Sequence, residues 1–277
     1  MLRSLQDLEG MAVEASDGAV GHVKDFYFDH HSWALRYLAV ETGSWFASRQ
    51  VLISPLTLGE ADWDQHRLPV HASRAQVRDS PGIDLAQPIS RAFELEHGQY
   101  YGYPYYWEGS AQWGGLAYPD GLYPGRPGSG REIQPTPADL EAEEEYRAAY
   151  ARRHGWKDLH VRSFEEIRGF KVHASDGEIG TLDSVLVDDE RWVVRYLVIA
   201  TGPWWQVQHV QVEPQWIDRI DWSTSELFMG QSRQAVLDLP ALPAALMPDS
   251  DRARSGLTAS PDERPSPAAT GGHRLPS

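Results

Sequence analysis

Displaced by 159 positions, the sequence falls on itself: Ser4–Pro81 aligns with Ser163–Pro240 without a gap, and 26 of 78 aligned positions are identical. Chance pairing would give about a fifth of that, so the chain is a duplicated module. The identities gather at Gly10/Gly169, Ala15-Ser16-Asp17-Gly18/Ala174-Ser175-Asp176-Gly177, Gly21/Gly180, Trp33/Trp192, Arg36-Tyr37-Leu38/Arg195-Tyr196-Leu197, Thr42-Gly43/Thr201-Gly202, Trp45/Trp204, Pro55/Pro214 and Asp62-Trp63/Asp221-Trp222.

The spacing within each copy is that of strands. Ser16-Asp17-Gly18 and Ser175-Asp176-Gly177 carry hairpin-turn chemistry, because Gly tolerates positive φ and Asp bonds nearby backbone. Val23, Phe26 and Phe28, with Leu182, Val185 and Val187, alternate except for two inserted polar residues, which predicts a shared bulge. Trp33–Val40 and Trp192–Ile199 are rich in β-branched and aromatic residues and nearly continuous in apolar character, as a central strand should be. Each copy then closes through Ser73-Arg74 or Ser232-Arg233 to Pro81 or Pro240, the punctuation of one short helix. Five or six strands in about 75 residues, with turn signals every 8–12, predict a small barrel, since closure removes exposed edges.

The hairpin A-S-D-G-x-x-G, the R-Y-L strand, T-G-x-W and Val51-Leu52-Ile53-Ser54-Pro55 together resemble the PRC-barrel family. The family takes its name from the photosynthetic reaction centre H subunit, and its barrel recurs in a ribosome maturation factor. The resemblance spans both repeats and implies an all-β protein of two tandem barrels that bind proteins or organise assemblies, without a catalytic site. The second copy departs from the pattern where Gln211-Val212-Glu213-Pro214 replaces Leu52-Ile53-Ser54-Pro55.

On this reading residues 1–81 are the first barrel and 161–240 the second. Residues 82–135 form an irregular connector, first aromatic and then Gly/Pro-rich. Residues 136–155 form a solvated helix, with Thr136 as N-cap, Glu141 and Glu143–Glu145 early and Arg152-Arg153 late. Residues 241–277, rich in Pro, Ala, Ser and Asp without periodicity, read as a disordered tail. In the connector, Tyr101, Tyr103, Tyr105, Tyr106 and Trp107 crowd a Gly/Pro-rich loop, so their rings either cover a barrel or meet a partner. Trp45-Phe46 and Trp204-Trp205, directly after Thr-Gly in both copies, are candidate partner contacts, because successive strand side chains point opposite ways.

Twenty-five Lys+Arg against 40 Asp+Glu give a net charge of −15, which opposes generic nucleic-acid binding. The absence of cysteine excludes disulfides, thiolate metal sites and cysteine nucleophiles. His30-His31 beside Asp29 reads as a solvated hairpin tip, and the acidic tip Asp188-Asp189-Glu190 lacks the spaced ligands of a calcium loop. Gly18-x-x-Gly21 lies in a hairpin rather than before a helix, and no G-x-S-x-G elbow is present. The expectation is therefore a cytoplasmic, non-catalytic scaffold without metal or cofactor, binding a protein partner or itself, with no signal peptide and no membrane span. Two other readings come from the family resemblance: a ribosome-associated or RNA-processing factor, and a photosynthetic reaction-centre subunit.

Overall fold

The computed structural model describes residues 1–43, 49–82, 88–108, 111–113, 119, 159–202, 207–243 and 246–247. Trp45, Phe46, Trp204, Trp205 and the 136–155 helix lie outside them.

In the first module β1 (Leu2–Ser4) is followed by β2 (Ala12–Ala15), β3 (Gly18–Asp29), β4 (Leu35–Thr42), β5 (Arg49–Ile53), β6 (Arg67–Pro69) and helix α1 (Arg74–Arg78). The connector contains helix α2 (Arg91–Tyr101). The second module repeats the order: β7 (Val161–Ser163), α3 (Phe164–Ile167), β8 (Lys171–Ala174), β9 (Gly177–Asp188), β10 (Val193–Thr201), β11 (Gln208–Val212), β12 (Ile217–Asp221), β13 (Glu226–Met229) and α4 (Arg233–Leu237). The sheets run β5-β4-β3-β2-β6 and β11-β10-β9-β8-β13-β12. Both are antiparallel except for the parallel pairs β2/β6 and β8/β13. Each is a barrel-like sheet curled around its core, so the all-β class and the barrel-like units stand.

Local chemistry explains the identities between the copies. Asp17 accepts the Arg74 amide at 2.7 Å, and Asp176 accepts that of Arg233 at the same distance. The hairpin Asp therefore ties down the first residue of the terminal helix, where a free N–H would otherwise need a partner. Ser73 and Ser232 cap those helices, Ser73 in a full capping box with Gln76. The expected bulge is present: β3 skips register between Val23 and Asp25, and β9 skips between Leu182 and Ser184. The Trp that follows Asp62 or Asp221 receives an arginine, Arg3 over Trp63 and Arg162 over Trp222, each at 4.3 Å.

The first strand of each module leaves home. β1 pairs with β9 of the second module, Leu2 opposite Asp188 and Ser4 opposite Leu186. β7 pairs with β3 of the first, Val161 opposite Asp29 and Ser163 opposite Tyr27. The two registers are related by the same 159-residue shift as the sequence repeat. Side chains reinforce both joints: Ser4 Oγ meets Ser184 Oγ at 3.3 Å, and the Ser163 hydroxyl donates to the half-buried Asp25 carboxylate. Between the modules, Leu35 N donates to Trp192 O and Val194 N to Trp33 O, each at 2.8 Å, flanking a bridge between Ala34 and Val193. Arg168 pairs with Glu9 at 2.6 Å. The arrangement is a pseudo-twofold, and one apolar interior runs through it, containing Leu5, Phe28 and Leu35 with Phe164, Val187 and Val194.

Four expectations need correction. The connector is not irregular throughout, since α2 lies within 82–135. Its buried face holds Arg91, Glu94, Leu95, His97 and Gly98, so the helix carries no apolar stripe to betray it. The segment after Pro240 is not wholly disordered. Ala241 bridges Val210, and Leu242, 4% exposed, packs on Leu186 and Val198 with Leu246 and Met247 alongside. Trp33 and Trp192 do not begin strands but sit in left-handed turns, φ 58° and 54°. The preceding aspartates fold those turns: Asp29 Oδ1 accepts the His31 and Ser32 amides, and Asp188 Oδ1 those of Glu190 and Arg191. His31 is exposed, but His30 is half-buried, its Nδ1 2.7 Å from the His160 carbonyl oxygen and its ring edge-on to Trp222.

Candidate functional site: two equivalent outer grooves

The strands β3, β4 and β5 turn Phe26, Phe28, Leu38, Val40, Val51 and Ile53 into the core. Tyr27, Tyr37, Ala39 and Leu52 point the other way, yet they too are buried. What covers them is the connector together with β7: Ile89 and Phe93 of the one and Val161 of the other complete this second apolar layer. Ser90 caps α2 by accepting the Phe93 amide, and Gly102 ends it at φ 71°. The chain then folds back over the end of β4.

At that fold-back a buried polar cluster forms. Arg36, 4% exposed, lies 3.4 Å from Asp29 Oδ2, donates to the Gln112 carbonyl oxygen at 2.6 Å, and places its guanidinium 3.5 Å from the Tyr106 ring centroid, with Trp113 at 5.1 Å. Arg91 pairs with Glu94 at 2.9 Å and stacks on Trp107 at 3.9 Å. The Tyr106 hydroxyl donates to Glu94 at 2.7 Å and lies 2.8 Å from His160 Nε2. His97 meets the Leu52 carbonyl oxygen at 3.0 Å through Nε2. Burial opposes ionisation of Asp29, but Arg36 and the turn amides outweigh it and hold the carboxyl below its ordinary range. For Glu94 burial wins over Arg91 and raises the carboxyl to about 7, and burial lowers His97 to about 4.

These two groups oppose each other in pH dependence. From pH 4.5 to about 7 the fold keeps a proton on Glu94 that the unfolded chain has released, so this contribution is lost as pH rises. From pH 6.5 down to about 4 the unfolded chain protonates His97 and the fold does not, so this contribution is lost as pH falls. Between pH 4.5 and 6.5 the slopes offset. In Glu94→Gln, urea-unfolding stability should therefore rise with pH across that window by about 2 kcal/mol, and in His97→Gln it should fall by a similar amount. Parallel profiles for the two variants would refute the assignment.

The aromatic residues singled out from sequence are thus brought together on the first module. Tyr101 stacks on the buried Tyr103 with centroids 5.2 Å apart, Tyr105 stacks on Trp107 at 5.0 Å, and Tyr106 fills the cluster. They cover a barrel. Sequence reasoning missed Arg36, Asp29, Arg91, Glu94 and His160, although Arg36 stands within the repeated R-Y-L strand. That repetition was the available signal.

The second module keeps the arginine and its aspartate, but among the described residues nothing takes the place of Tyr106 and Gln112 beside Arg195. Arg195 pairs with Asp188 at 2.8 Å and remains 43% exposed. Burial of Asp188 is outweighed by Arg195, Arg191 and turn amides, which lower its carboxyl to about 2. A groove of about 840 Å³ opens here, lined by Arg195, Tyr196, Glu213 and Gln215 of the second module and by His31 and Trp33 of the first.

A pair of curled sheets that exchange first strands, with grooves on their outer faces, defines a tandem barrel-like β protein. Residues 2–76 match the PRC-barrel domain family, and the chain carries a PRC-barrel domain there. The second unit lies outside the matched stretch and stands on its sequence repeat and equivalent strand pairing. No curated protein matches the chain. No helix among the described residues is long and apolar enough to cross a membrane.

Proposed function

We propose that this chain is a non-catalytic scaffold that binds a protein partner or a second copy of itself. The observation that supports the reading most is the first outer groove, where an irregular, aromatic stretch of polypeptide is held by an arginine stacked on a ring and by a main-chain hydrogen bond. Those are the means by which interfaces anchor aromatic hot spots. Sedimentation of the purified full chain across a wide concentration range, with stoichiometric recovery of a partner by the tagged chain from its native cell and reconstitution from purified components, tests the reading. A chain that stays monomeric and yields no reconstitutable partner overturns it.

A further inference from the structure

The 159-residue shift maps one groove onto the other. Arg36, Tyr37, Ser54 and Leu56 line the site beneath Tyr103–Trp107 and Trp113, and their repeat equivalents Arg195, Tyr196, Glu213 and Gln215 line the open groove. In both modules the arginine is held by an Asp at the end of the preceding long strand, Asp29 or Asp188. An arginine fixed in this way keeps its guanidinium plane oriented and its faces available for stacking. In the first module one face is taken by Tyr106 and a remaining N–H by the Gln112 carbonyl. Among the described residues nothing equivalent covers Arg195, and Trp33, half-buried and stacked on Phe28, lines the same groove.

Resting on the binding role proposed above, we infer that the second groove is the partner site and that it takes a looped segment of another protein bearing Tyr or Trp. The ring stacks on Arg195, and a carbonyl further along the segment accepts from the guanidinium, as Tyr106 and Gln112 do in the first groove. The linings differ in charge. Glu213 replaces Ser54, and the Gln215 amide donates to it where both line the groove. A carboxylate in the lining selects a segment with Lys or Arg near its aromatic residue and disfavours an acidic one.

The test uses the full chain and a synthetic peptide of the sequence Tyr103–Trp113, whose Tyr103–Trp107 and Trp113 line the equivalent groove. Fluorescence anisotropy should show saturable binding. Tyr106→Ala in the peptide, or Arg195→Ala in the protein, should weaken it about tenfold. Arg195→Lys keeps the charge without the plane and should lose most of the affinity as well. Replacing Glu108 of the peptide by Lys should tighten binding severalfold, and Glu213→Gln in the protein should abolish that gain. Arg195 is exposed, so unchanged melting of its variants separates lost contact from lost fold. No binding of either peptide, or binding indifferent to Arg195, overturns the inference. If a reconstituted partner binds Arg195→Ala as well as it binds the parent chain, the groove is wrong and the scaffold role survives; if no partner exists, the scaffold role itself falls.

Discussion

Alanine at Gly21 or Gly180 should unfold the module that carries it. Each glycine lies against the neighbouring strand so closely that a Cβ would overlap a carbonyl, 2.8 Å from the Glu41 carbonyl carbon in one case and 3.0 Å from that of Ala200 in the other, with the oxygens closer still. The obstacle is backbone within the hydrogen-bonded ladder, which cannot swing aside as a side chain can, so the strands must part. The expected loss is about 3 kcal/mol or more, at the upper end of what overpacking costs. Gly10 and Gly169 give the contrast. They sit at φ 80° and 82° with open space where a Cβ would be, so alanine there meets only the left-handed backbone penalty, about 1 kcal/mol. Denaturant midpoints of the four variants measure the difference; equal losses at Gly10 and Gly21 would sink the steric account.

Removing Met1–Ser4 should damage the second module and spare the first. Those residues form β1, whose partner is β9, and the Met1 amino group pairs with Asp189. Leu2 also packs against Leu186 in the outer layer of the second module. Loss of a three-residue pairing and that burial should cost on the order of 2–3 kcal/mol. Hydrogen exchange should accelerate at Leu186–Asp188, while Tyr27–Asp29, paired with Val161–Ser163, keep their protection. Faster exchange in the first module instead would mean that each β-strand pairs at home.

Much of this fold was legible in the residues, and what was hidden was hidden for physical reasons. Repeated turn glycines, the polar insertion before Phe26 and Val185 and the Ser caps report local geometry, and local geometry is written locally. The apolar continuity of the R-Y-L strand announced a central strand, and β4 and β10 each have a neighbour on either side. Strand exchange was illegible because Leu2–Ser4 and Val161–Ser163 are equivalent segments, and either would satisfy either long strand. Helix α2 was missed because it buries charge and imidazole rather than a hydrophobic stripe. Leu242, Leu246 and Met247 were lost in a Pro/Ala composition that suggests no core, although three apolar side chains suffice to seat a segment on Leu186 and Val198.

The ion pair between Glu9 and Arg168 joins two positions that the repeat makes equivalent, so the pseudo-twofold axis passes between them. Two copies of the first module joined in this manner would press glutamate against glutamate, and two copies of the second would press arginine against arginine. Only unlike halves match. A single opposite-sign substitution thus works as a key, discouraging either half from pairing with its own kind and keeping the groove of Arg36 always beside that of Arg195.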